Sequence, residues 1–250
     1  GRIALCDAGV GLGKTYAYLT AGILFRKYTQ NASERPILVT TASIALQNAV
    51  LGEYIPFLSE VMLEAGIIEK PLKAALRKGK THYACDDRLL KRLSKANLEK
   101  KNERNKRALL SLKTHLDLDD VAHLSAYDRN QVCVPGMCDC HLTDCRYQRF
   151  VRNSRSPENV IQVCNHNFFL ADAIHRNTGI PGLVPDCCAV IIDEAHKLPE
   201  AARQMFGKAL SIADMSALVT GLKREQYVLA AEKLAGELKP IAGDLKEHAD

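Results

Sequence analysis

The chain has 250 residues, 47% hydrophobic and 25% charged, a balance that excludes a disordered tract and fits one large domain or two small ones. It holds no apolar run long enough to cross a bilayer and no charged-then-apolar leader, so a cytoplasmic protein with no membrane partner is expected, its nine cysteines reduced. The net charge of +5 is uneven: residues 86–113 carry ten Lys/Arg against four Asp/Glu, which reads either as a polyanion-binding stretch or as a solvated helix face.

The first predicted element is a short strand, Ile3 to Cys6, leading into Ala8-Gly9-Val10-Gly11-Leu12-Gly13-Lys14-Thr15 and a helix over 15–27. Strand, glycine loop and helix are the context a phosphate-binding loop requires. Gly9, Gly11 and Gly13 let backbone N–H groups turn inward around a phosphate, and the helix start adds its unpaired N–H groups. Lys14 is then expected on the β- and γ-phosphates of ATP, and Thr15 on Mg²⁺. Ala8 occupies the usual first glycine position of the motif, which leaves a plain glycine-rich turn as the alternative.

Residues 36–40 read as a buried strand and 44–51 as a helix capped by Ser43, giving a βαβα pattern that implies a parallel sheet with helices on its faces. Residues 53–66 and 71–78 are expected as short helices. From residue 79 to 157 the chain lacks a strand pattern and holds five of the nine cysteines. Leu89, Leu90 and Leu93 give its basic stretch a weak apolar stripe, predicting one or two exposed helices. A further helix over 146–155 carries Arg146, Arg149, Arg152 and Arg155, either a track for a phosphate backbone or plain surface arginines.

Strand character returns at 160–164, followed by Asn165 as a helix cap and a helix over 168–176. The apolar run Ala189-Val190-Ile191-Ile192 ends in Asp193-Glu194-Ala195-His196, as a buried parallel strand delivers acids at its carboxyl edge. Asp193 would complete a Mg²⁺ site and Glu194 would orient and deprotonate the attacking water. Residues 212–222 and 226–238 read as helices of a separate module.

Cys85, Cys133, Cys138 and Cys145 provide four thiolates for one centre, with Cys140 able to replace Cys138. Four thiolates suit Zn²⁺ or an iron–sulfur cluster; paired C-x₂-C knuckles are missing, and the looser gaps favour the larger core, with unliganded thiols as the alternative. A metal would also hold together a segment that looks too poor in apolar residues to fold alone. Cys6, Cys164, Cys187 and Cys188 are expected as small core residues.

Together the glycine loop, Val39-Thr40-Thr41-Ala42 through Leu46-Gln47, the run Lys78-Gly79-Lys80-Thr81-His82-Tyr83-Ala84-Cys85, Asn165-His166 and the Asp-Glu-Ala-His strand resemble the iron–sulfur, DEAH-box helicases of the DinG/XPD type. The long gap from Cys85 to Cys133 is more similar to the DinG branch, and the family's first motif often begins with Ala. The resemblance implies an α/β fold: a RecA-like P-loop domain over 1–78 and 158–206, an inserted iron–sulfur domain over 79–157 and the start of a helical arch from 207 to 250. It implies a monomeric motor translocating 5′→3′ on single-stranded DNA, acting on forked or R-loop DNA, with ATP, Mg²⁺ and a 4Fe-4S cluster. It also implies that the Thr40 to Gln47 region contacts the strand and that His196 couples the ATP site to it. The second RecA-like half and the adenine-reading segment are not found among the 250 residues, so very weak hydrolysis and no unwinding are expected of this piece alone. A metal-stapled single-strand-binding module with a vestigial nucleotide site, and a P-loop ATPase with a zinc insert that acts on proteins, are the competing readings.

Overall fold

The computed structural model describes residues 2–9, 11–98, 103–138, 144–207, 219 and 228–247. Four parallel strands, β1 (Ile37–Thr41), β2 (Lys73–Arg77), β3 (Asn159–Asn165) and β4 (Ala189–Ile192), form one sheet in the order β2-β3-β1-β4. β1 is buried along its whole length, as a central parallel strand covered on both faces must be. Ile37 and Val39 point to one face, where Leu19 and Ile23 of α1 (Lys14–Tyr28) and Leu58 and Met62 of α3 (Ile55–Glu64) pack on them. Leu38 and Cys164 point to the other, against Val184 and Phe168, the latter from α8 (His166–Asn177). This mixed α/β plan with an all-parallel sheet fits a RecA-like domain.

Gly22 fixes how closely α1 lies on the sheet, since a Cβ there would come within 3.2 Å of Ile191 and 3.3 Å of Ile37. Between β1 and α3 run α2 (Ile44–Ala49), whose N-cap Ser43 accepts from the Leu46 N–H, and a π-helical turn, Val50–Tyr54.

Two expectations fail. Residues 71–78 contain a strand rather than a helix: Ala75 and Arg77 face inward, and the segment pairs with β3 from Ala74 to Arg77. The open flank of β3 supplied a partner ladder, which outweighed the helix propensity of Lys, Ala and Leu. The strand expected at Ile3 to Cys6 does not form; Ile3 is 100% and Leu5 91% exposed, and Cys6 is exposed rather than core. Without a sheet neighbour, these residues gain no ladder bonds to offset the entropy of ordering them.

The insert between β2 and β3 contains α4 (Asp86–Leu98), α5 (Glu103–Ser111), α6 (Ala126–Val132) and α7 (Arg146–Ser154). It is not too apolar-poor to pack, because it has a core of its own around Leu89, Leu93, Leu109, Leu112, Leu118 and Val132. These residues come from helix faces and turns scattered over 44 positions, so no single periodic run betrays them. Leu90 of the expected stripe points outward. Two isolated antiparallel bridges, Tyr83 with Asp117 and Ala84 with Cys133, close the neck of the insert.

After β4 comes α9 (Leu198–Phe206), in whose last turn the first unit, Gly1–Met205, ends. The second unit, Phe206–Asp250, is described at residues 206–207 and 219 and in α10 (Val228–Glu247), so the helix expected over 212–222 falls almost entirely outside the described residues.

Candidate nucleotide site

The site lies at the carboxyl edge of the sheet, where β1, β3 and β4 end beside the start of α1. α1 begins at Lys14, preceded by Gly13 at φ 73°, a left-handed conformation that glycine adopts without strain. No side chain caps this helix and no acid sits in its first turn, so its leading N–H groups stay available to an anion. Gly11 is also left-handed at φ 82°; Gly9 and Gly11 are exposed, Ala8 is half-buried, and Val10 lies outside the described residues.

Lys14 and the acid pair, 179 and 180 positions apart in sequence, meet here. The Lys14 ammonium is 3.6 Å from Glu194 Oε1, while Glu194 Oε2 is 3.4 Å from His196 Nδ1. Lys14 and Glu194 are each about one-third exposed, so their ion pair is weak and readily exchanged for another anion. Asp193 is held at the strand end by its N–H donating to the Thr40 carbonyl at 2.9 Å, and its Oδ1 accepts from the Glu194 N–H at 3.0 Å. Glu194 sits at φ 53°, ψ 46°, left-handed for a residue with a Cβ. Such strain, of about 1–2 kcal/mol, persists where surrounding structure imposes it and concentrates at functional sites.

Sequence reasoning missed two residues here. Tyr18 donates from its hydroxyl to Asp193 Oδ2 at 3.2 Å. Burial and then the Asp193 charge push this phenol well above its ordinary value, so it is a neutral donor. Its position three residues after Thr15, on the same helix face, was the available signal. His166, named by the resemblance without a role, is buried with Nδ1 2.9 Å from the Thr40 hydroxyl. Burial lowers its pKa against the backbone of Glu194 and Asp193, which favours the charged form, so the ring is neutral.

Asp193 fits a magnesium ion in the chemistry of its donors, since its Oδ2 is met by the exchangeable Tyr18 hydroxyl at 3.2 Å, and Thr15 lies one turn earlier on the same helix. The thiols are less complete. Cys85 and Cys133 are buried beside the Ala84–Cys133 bridge, Cys145 is half-buried and Cys138 exposed; Cys140 lies outside the described residues. Tyr147 packs on the cluster that contains Cys85 and feels both Cys138 and Cys145, so these thiols share one neighbourhood. Among the described residues, however, no group of three or more His, Cys, Asp or Glu is gathered closely enough to hold a metal ion. Cys164 and Cys187 are raised to about 12, first by burial, and are inert thiols.

The surfaces expected to meet a nucleic acid are partly occupied. Thr40, Thr41 and Gln47 are 0% exposed, so in this conformation they cannot touch a strand. Arg146 binds Asp86 and the carbonyls of Leu112 and Lys113, Arg149 pairs with Asp144, and Arg155 donates to the Gly182 carbonyl. Arg146 is thus tied down within the insert, while Arg149, Arg152 and Arg155 stay exposed.

No family model matches the chain. It is 29% identical over 220 residues to the ATP-dependent DNA helicase YoaA of Escherichia coli, covering 84% of this chain and 32% of that protein. It is 24% identical over 237 residues to the ATP-dependent DNA helicase DinG of the same organism, 85% of this chain and 31% of DinG. The chain is similar to the DinG and YoaA helicases. A Bacillus subtilis protein named 3′-5′ exonuclease DinG is 26% identical over 239 residues, 90% of this chain and 24% of that one. The chain thus spans between a quarter and a third of the length of these relatives. Among the described residues no helix is long and apolar enough to cross a membrane.

Proposed function

We propose that the chain is the ATP-binding part of a DNA helicase that hydrolyses ATP to move 5′→3′ along single-stranded DNA, as a monomer in the cytoplasm, on forked or R-loop substrates. The observation that carries this reading is the meeting of Lys14 with the Asp193-Glu194 pair at the sheet edge, next to an uncapped helix start. Relatives named ATP-dependent DNA helicases support it.

In this reading Ala8, Gly9, Gly11 and Gly13 form the cradle, and Lys14 leaves Glu194 to neutralise charge on the β- and γ-phosphates. The exchange frees the Glu194 carboxylate to accept a proton from the attacking water. Thr15 and Asp193 would hold magnesium, which neutralises phosphate charge when bound. His196, bonded to the same carboxylate, couples the acid pair to the DNA side of the domain.

Cys85, Cys133, Cys138 and Cys145 are proposed as ligands of a 4Fe-4S cluster, supported by the neighbourhood these thiols share around Tyr147 and the Ala84–Cys133 bridge. Because the insert has its own apolar core, the cluster shapes one end of it rather than holding it together.

The test is ATP turnover by the complete protein with and without a single-stranded oligonucleotide. Turnover should rise with DNA and fall at least about a hundredfold in Glu194→Gln, with nucleotide binding kept. Turnover untouched by that substitution would overturn the assignment. Absorption near roughly 400 nm with bound iron supports the cluster; a colourless anaerobic preparation with stoichiometric zinc contradicts it.

A further inference from the structure

Tyr18 holds one of the two side chains assigned to the metal, and nothing in the phosphate-loop motif calls for a phenol there. We propose that the Tyr18 hydroxyl is a placeholder for magnesium: it occupies Asp193 before nucleotide arrives, and sets how much magnesium the site needs. This inference deepens the nucleotide-site reading and rests on it.

Two observations support it. The hydroxyl donates to Asp193 Oδ2 at 3.2 Å, the oxygen left over once Oδ1 has accepted from the Glu194 N–H. The Tyr18 side chain is partly buried against the core formed by α1 and the sheet, which holds the hydroxyl at that oxygen. A phenol is a poor magnesium ligand beside a carboxylate, so it competes for Asp193 instead of joining the coordination shell.

Physically, a carboxylate at the end of a strand would otherwise be left to solvent or drawn toward the Lys14 ammonium, which Glu194 already pairs with. The phenol keeps the outer oxygen of Asp193 on a neutral partner until the ion arrives. The cost is one hydrogen bond exchanged when the hydrated ion enters. Tyr18 is therefore a positioning residue, and removing its hydroxyl should make the metal easier to bind.

The experiment is binding of a fluorescent ATP analogue to the full 250-residue chain across a magnesium titration, for the unaltered chain, Tyr18→Phe and Asp193→Asn. Tyr18→Phe keeps the ring, and a thermal melt checks that the fold is retained. The half-saturating magnesium concentration should fall about three- to tenfold in Tyr18→Phe, with metal-free binding in a chelator unchanged. An unchanged or higher magnesium requirement would overturn the placeholder role. If Asp193→Asn also leaves the requirement unchanged, the metal assignment itself fails; if Asp193→Asn raises it while Tyr18→Phe does nothing, only the role of Tyr18 falls. No nucleotide binding by the unaltered chain overturns both.

Discussion

The neck of the insert and the nucleotide site are built in opposite ways. At the neck, Lys78 has a side chain only 5% exposed and binds Asp117 at 2.6 Å and Asp119 at 3.0 Å. Asp119 is also paired with His82 and Arg129, and Tyr83 is buried beside them. At the nucleotide site, the one ion pair from Lys14 is long and half-exposed, and the acid it meets has a strained backbone. Buried charge that is fully paired fixes a geometry; loosely paired charge can change partner. The neck is therefore made to hold the insert on the sheet, and the edge of the sheet is made to exchange ligands.

That contrast predicts where stability resides. Lys78→Met should have the largest effect, costing about 2 kcal/mol because it removes the buried cation that Asp117 and Asp119 share; chemical denaturation reads this directly. A cost below about 1 kcal/mol would mean that the neck is not a clamp.

Acid should find the same network. Burial would raise the Asp119 carboxyl, but hydrogen bonds from Lys78, Arg129 and His82 outweigh it and hold it below the ordinary range. A carboxyl lowered on folding contributes stability in full above its ordinary pKa of about 4, and loses it progressively as pH falls from there through the lowered folded-state value. Thermal melts should thus drop below about pH 4, and Asp119→Asn should flatten this acid limb while lowering stability at neutral pH.

Glu194→Gly tests the other region. Relieving the left-handed strain should raise stability by about 0.5–1 kcal/mol, even as ATP turnover is lost. The smallest effect belongs to Lys14→Met, within about 0.5 kcal/mol, since a half-exposed pair contributes little. Equal losses from Lys14→Met and Lys78→Met would erase the contrast.

What could be read from the sequence follows the same division. The helix after the glycine loop, the Asp193-Glu194 strand end and the Asn165 cap are local signals, and each lies on an element of the expected kind; Asn165 accepts from the Phe168 N–H at 2.8 Å. β2 was misread because Lys73 to Arg77 has the composition of a helix and becomes a strand only through its neighbour β3. The core of the insert was invisible because its apolar residues are joined by tertiary contacts alone. Along α7, spacing alone cannot reveal that Asp86 and backbone carbonyls already occupy Arg146. Tyr18 was overlooked because its partner lies 175 residues away.

The central claim is that an uncapped helix start, Lys14 and the acid pair together hold a magnesium-bound triphosphate. Calorimetric titration of ATP with magnesium into the chain, beside Lys14→Ala, tests it most directly. One site per chain, weakened at least about tenfold by the substitution, is the predicted result; equal affinity in both would contradict the account.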